Sequence, residues 1–291
     1  MRMILIHGIN QQGKSSQKIL TAWVDRLHQT YAAHGPNPLG RLSKIEAAFY
    51  GDTLEELSSA KFKDQAIALG TEQTTDDFDE FAVEALEEIA RRLGVTQAQI
   101  LAADETTVVP QGAGIHKKWL KAVARAIEAV SPLHGTLALR VLGQAHAYIR
   151  NQHIHDEVNK RVRPLFEDDE PMIVLSHSLG TIVAYSLLRE FAKNNRPRQS
   201  PLLVTLGSPL GIDSVRKGFA KPRIRPDFVE RWVNGADPED FVALRAELTN
   251  DTFGPGIENY ADIDNGHDDP HDILQYLKDP RISNAIAKAI P

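Results

Sequence analysis

The stretch with the most chemistry in it is Ile173-Val174-Leu175-Ser176-His177-Ser178-Leu179-Gly180-Thr181-Ile182-Val183-Ala184. An apolar run that suits a buried strand leads straight into a serine-containing turn, and a helical pattern follows at once. The spacing fits G-x-S-x-G, with Ser176 in place of the first glycine. A sharp strand-to-helix turn brings neighbouring backbone close, so small residues two before and two after Ser178 matter, and Ser176 is small. The turn puts Ser178 at a helix N-terminus, where free N–H groups and the helix dipole favour negative charge. The same residues would also make a serine-rich helix cap. The strand before and the helix after favour a nucleophile over a cap.

Two other constellations are weaker. Asp262, Asp264, His267, Asp268, Asp269, His271 and Asp272 form an acidic cluster whose carboxylates and imidazoles are metal-ligand types. Its glycine, Gly266, is misplaced for an EF-hand loop, and a solvated loop carrying one working histidine fits it better. Arg216, Lys217, Lys221, Arg223 and Arg225 form a basic run with prolines, read as a solvated loop; the alternative is an anchor for an anionic substrate or partner.

The elements that would position the serine alternate between strand and helix. Strands are expected at Met3 to Ile6, Ile45 to Tyr50, Met172 to Leu175, Leu202 to Leu206 and Phe228 to Val233. Helices are expected around Ile19 to Tyr31, closed by His34-Gly35-Pro36, and from Leu179 to Lys193. This alternation indicates a parallel sheet. The region from about 55 to 165 shows only helical patterns. Phe78 to Leu93 is amphipathic, with Asp76 or Asp77 as N-cap and Gly94 as its end. A second helix carries Trp119, Leu120, Val123, Ile127 and Val130, Pro132 to Gly135 interrupts it, and a third runs from about Leu137 to Val162. The expectation is an α/β fold, a mostly parallel sheet flanked by helices, with a helical insertion or cap at 55–165. The whole chain, 1–291, is then one domain.

Composition narrows the classes. With 42% hydrophobic and 25% charged residues the chain is neither disordered, collagen-like nor coiled coil. A formal charge of −6 lacks the basic footprint of a general nucleic-acid binder. With no cysteine there is no disulfide, thiolate metal site or cysteine nucleophile. The start has no secretory pattern, and the longest charge-free stretch, Pro171 to Leu188, is broken by Ser176, His177, Ser178 and Gly180. A cytoplasmic protein without a membrane span is expected.

The residues Leu5-Ile6-His7-Gly8-Ile9-Asn10, an apolar strand ending in His-Gly, carry a resemblance. Together with the Ser178 turn and with Leu206-Gly207-Ser208-Pro209-Leu210-Gly211, the chain resembles the α/β-hydrolase superfamily, in particular its lipase-like and esterase-like members. The resemblance covers the strands and both ends of the chain but not 55–165. It implies Ser178 as nucleophile, the backbone N–H groups of Ile9 and Leu179 as the oxyanion hole, and a structural His7. Its triad order of serine, acid, histidine leaves only His267 and His271 as bases. Asp240-Phe241-Val242 matches the Asp-x-Val of such relatives and makes Asp240 the acid, with Asp237 the alternative. His271, followed by Tyr276 and Pro280, makes the base, with His267 the alternative. The implied activity is cleavage of a carboxylic ester of a small molecule or lipid, with no cofactor and no metal. Acyl transfer or thioester cleavage on the same residues, and a non-catalytic binding protein on the scaffold, are the alternatives. The helical region is expected to cover the mouth of the site, with Trp119, Leu120 and Val123 lining an acyl pocket or packing in the core.

Overall fold

The apolar run at the start of the chain is a strand, β1 (Arg2–Ile6), buried along its whole length. The computed structural model describes residues 1–58, 76–103, 114–130, 134–194, 199–243 and 247–291. Five more strands follow: β2 (Lys44–Ala47), β3 (Met172–His177), β4 (Ser200–Leu206), β5 (Val229–Gly235) and β6 (Ile257–Tyr260). They form one sheet in the order β2-β1-β3-β4-β5-β6, and every neighbouring pair is parallel. Five strands stand where the sequence puts them, within a few residues. The edge strand β6 was not foreseen: its Ile-Glu-Asn-Tyr is only half apolar and largely half-buried.

Register sorts the side chains by face. Leu5, Leu175, Val204 and Val233 lie in one row across the sheet. They join Trp23 and Leu27 of α1 (Ser16–His34) and Ile282 and Ile286 of the C-terminal helix (Pro280–Ala289) in one buried core. The adjacent row is Ile6, Ser176, Thr205 and Asn234, and by the two-residue period it faces the other way. The helix Leu179–Lys193 packs against β1 and β3. The sheet is therefore covered by helices, as an all-parallel sheet requires, and the architecture is that of the broad α/β-hydrolase-like fold.

The chain divides into two units. The sheet and its helices make the first, Met1–Thr53, Asp156–Gly211 and Ala220–Pro291. The second is Leu54–His155 with Ile212–Phe219, and its described regular structure is all helical: α2 (Asp76–Arg92), α3 (Gln97–Ala103), α4 (Gly114–Val130), α5 (His134–Arg150), the start of α6 (Gln152–Val162) and a short helix, Asp213–Lys217. The α2 stripe of Phe81, Ala82, Ala85, Leu86 and Ile89 is buried with Val123 and Ile127 of α4 and Val141, Leu142 and Ala145 of α5. Val123 belongs to this core, while the Trp119 indole donates to the Glu87 carboxylate at 2.6 Å. Gly94, at φ 70, ends α2 as a left-handed cap. The expected helix from Leu137 to Val162 is two helices. Asn151 ends one and starts the next by accepting the Ile154 N–H on its side chain at 3.2 Å. Helix α5 begins at His134, so Gly135 lies inside it; Pro132 lies outside the described residues, as do the side chains of Asp76 and Asp77.

Candidate active site

Ser178 is the hinge between β3 and α7 (Leu179–Lys193), with φ 53 and ψ −131. A non-glycine residue at such a φ costs about 1–3 kcal/mol and persists only when its surroundings hold it. The Ser178 N–H donates to the Leu206 carbonyl at 3.0 Å, and the Ser178 carbonyl accepts the Thr181 N–H at 2.9 Å and the Thr181 hydroxyl at 2.7 Å. The Ser208 hydroxyl lies 2.8 Å from that of Thr181 and accepts the Leu210 N–H, so the Gly-Ser-Pro segment braces the turn from the next strand. A Cβ on Gly180 would sit 2.3 Å from the Ile6 carbonyl oxygen and 2.5 Å from that of His7; backbone cannot yield, so only glycine fits. Ser176, at the first glycine position of the spacing, is accommodated with its buried hydroxyl donating to the Val204 carbonyl at 2.8 Å.

The loop after β1 meets Ser178 directly. A Cβ on Gly8 would lie 2.5 Å from Ser178 Cβ. The strand order reverses between β1 and β3, and ligands of open parallel sheets bind beyond the carboxyl ends of strands at such a switch point. Strand order is shared by unrelated proteins, so the side chains there must carry the functional argument.

His271 and Asp240 converge on Ser178. The Ser178 Oγ is 2.9 Å from His271 Nε2, and His271 Nδ1 is 2.8 Å from Asp240 Oδ2. Asp240 Oδ1 accepts the N–H groups of Val242 at 2.8 Å and Ala243 at 3.3 Å. An ionised carboxylate only accepts, so Nδ1 carries the proton and Nε2 is free to accept the serine hydroxyl. Burial pushes His271 down, but the Asp240 charge and hydrogen bond, with Asp269 and Asp272 nearby, overcome it and raise its pKa above the usual 6.5. Burial pushes Asp240 up, yet His271 and the donors on its oxygens hold it below the usual aspartate value.

The other candidates are engaged elsewhere. Asp237 closes its own turn by accepting the Glu239 N–H and ties it to a second loop by accepting the Asn265 N–H, each at 2.6 Å. The exposed His267 pairs with Glu239. His7 is buried, and burial lowers its pKa to about 4. Its Nε2 accepts the Tyr50 N–H, so its Nδ1–H donates to the Gly8 carbonyl at 2.7 Å. That bond pins the Gly8–Ile9 peptide, the one whose N–H is the expected Ile9 donor. Leu179 opens α7, where an N–H has no partner within the helix. In the acidic cluster, Asp262 pairs with Arg281 and Asp272 caps the Leu274 N–H. Among the described residues no group of three or more metal-ligand side chains converges. In the basic run Arg216 pairs with Asp213, Lys217 with Glu84, and Arg225 donates to the Val229 and Glu230 carbonyls. No described helix is long and apolar enough to cross a membrane.

Three features escaped the sequence reading. Gly207, at φ 55, lies against the carboxylate and both imidazoles: a Cβ there would be 2.9 Å from Asp240 Oδ2 and 3.2 Å from His177 Nε2 and His271 Cε1. The Gly207→Ala variant is expected to displace Asp240 and His271 and, because φ 55 is strained for any residue with a Cβ, to lose about 1–3 kcal/mol of stability; a thermal melt beside an NMR titration of the His271 ring checks this. His177 is buried and held neutral, burial lowering its pKa to about 3, and its Nε2–H donates to the His271 carbonyl at 2.8 Å. Finally, the expectation that no phosphate loop is present is corrected: Gly8-Ile9-Asn10-Gln11-Gln12-Gly13-Lys14-Ser15, between β1 and α1, has the G-x-x-x-x-G-K-[ST] spacing. Three of its members are engaged otherwise. Gly8 abuts Ser178, the Gly13 N–H donates to the Asp52 carboxylate at 2.7 Å, and the Ser15 hydroxyl caps Lys18. A carboxylate already holds a donor that a phosphate would need.

The chain matches no family model, no curated protein and no solved structure.

Proposed function

We propose that the protein is a serine hydrolase that cleaves carboxylic esters through an acyl-enzyme, and that the chain is one hydrolase domain carrying a helical insertion. The observation that supports this is the unbroken hydrogen-bonded line Asp240, His271, Ser178, ending at a serine with φ 53 on a strand-to-helix turn. Separate elements contribute its members, and each has a distinct chemical state.

In this reading Ser178 Oγ attacks the ester carbonyl as His271 Nε2 takes its proton. The negative charge that develops on the carbonyl oxygen is met by the N–H groups of Ile9 and Leu179. The resulting imidazolium is stabilised by the Asp240 carboxylate, which stays ionised. Collapse expels the alkoxide, which His271 protonates, leaving the acyl group on Ser178. Water, deprotonated by His271, then releases the acid and regenerates the serine. No step needs a cofactor.

The base works only when neutral, and its pKa is raised. The rate is therefore expected to fall on acidification, with a midpoint above the usual 6.5, and to level off at alkaline pH. The pH dependence of kcat/KM on a series of p-nitrophenyl esters of increasing acyl length tests both the activity and this sign. A rate that rises on acidification contradicts the assigned base; no turnover of any ester in the series contradicts the ester reading.

A further inference from the structure

We propose that Tyr276 is a positioning residue of this site, its hydroxyl holding the Asp240 carboxylate and setting how strongly that carboxylate supports His271. The inference rests on the hydrolase reading above.

Tyr276 ends a short helix, Ile273–Tyr276, whose N-cap Asp272 directly follows His271. Its ring is fully buried. The phenol oxygen is 2.7 Å from Asp240 Oδ2 and 3.0 Å from the Asp237 backbone nitrogen. An N–H can only donate, so the phenol accepts from Asp237 and its single proton goes to Asp240. Oxygen Oδ2 thus receives two donors, Tyr276 O–H and His271 Nδ1–H, while Oδ1 receives two backbone N–H groups. Burial, with the Asp240 charge, pushes the Tyr276 phenol well above its usual value, so it remains a donor at any working pH. The N–H of Asp237 polarises the phenol and strengthens that donation.

A tyrosine that only filled space would be replaceable by phenylalanine without consequence for the chemistry. Here the hydroxyl is one of four donors on a carboxylate inaccessible to solvent. Without it, negative charge concentrates toward His271, the imidazolium is held more tightly, and the carboxylate is freer to turn. The titratable groups that face the Asp240–His271 pair are Tyr276, His177 from β3, and Asp237, Asp269 and Asp272 from the adjoining loops. Only Tyr276 changes in the test.

In Tyr276→Phe, kcat is expected to fall about tenfold with KM unchanged, and the acid midpoint of kcat/KM to rise by about half a pH unit. The His271 ring, titrated by NMR, should show the same rise, and this reads the pairing without any turnover. Placing 3,5-difluorotyrosine at position 276 keeps the ring, makes the hydroxyl a stronger donor, and should move the midpoint down; it serves also if the phenylalanine variant does not fold. Parent-like kcat and an unmoved His271 titration in the folded variants overturn the inference. If instead the parent protein neither turns over esters nor labels at its serine, the hydrolase reading fails, while the NMR titration still decides whether Tyr276 tunes the pair.

Discussion

Replacing Ser178 by alanine is expected to lower ester turnover by about 10⁵-fold or more, because removing the nucleophile of a unit that acts together removes nearly all that the unit does. Folding should be nearly unaffected. The alanine keeps a Cβ at φ 53 and so keeps the backbone strain. Ser178→Gly is equally inactive but relieves that strain, and should be about 1 kcal/mol more stable than the alanine variant. Denaturant unfolding of the two variants measures the difference. Equal stabilities would mean that the turn does not hold strain, and retained turnover in either would remove Ser178 from the mechanism.

Asp240→Asn should cost about 10⁴-fold in kcat, since an amide favours the wrong imidazole tautomer and cannot stabilise the imidazolium. It should also destabilise the fold by about 1–3 kcal/mol, because an amide N–H₂ placed against donors leaves a buried pair facing each other. Asp237→Asn is the informative contrast. Its carboxylate holds only backbone N–H groups, Glu239 of its own turn and Asn265 of a second loop, so a loss of stability is expected with kcat within about tenfold of the parent. Kinetics of the two variants under identical conditions check the pair. A larger catalytic loss for Asp237→Asn would reverse the assignment of the acid.

The parts legible in the sequence were those encoded locally. The apolar run before Ser178 and the small residues around it specify a strand, a tight turn and a helix within twelve consecutive residues. Choosing between His267 and His271 was harder, because both lie in one acidic stretch and no local period separates them. What separates them is burial and reach. His271 is covered and in line with Ser178, whereas the His267 side chain is 89% exposed beside Glu239. Gly207 and Tyr276 stand in the sequence only as letters of the resemblance, and what they touch is illegible there for the same reason. Each matters through atoms of residues thirty or more positions away in sequence. The edge strand β6 and the break at Asn151 were missed because a half-polar strand of four residues and a single capping side chain leave little trace in hydrophobic periodicity. The phosphate-loop spacing at Gly8 to Ser15 is the converse lesson: a motif matched in letters, whose Gly13 N–H the fold gives to Asp52 and whose Gly8 is packed against the serine turn.

The most direct measurement is to treat the folded protein with a fluorophosphonate probe and map the adduct by mass spectrometry. Such a probe reacts with a serine only when a neighbouring base activates it. The account predicts one adduct, on Ser178, absent from Ser178→Ala and strongly diminished in His271→Ala. An unlabelled native protein, or an adduct on Ser178 that forms equally fast without His271, would contradict it.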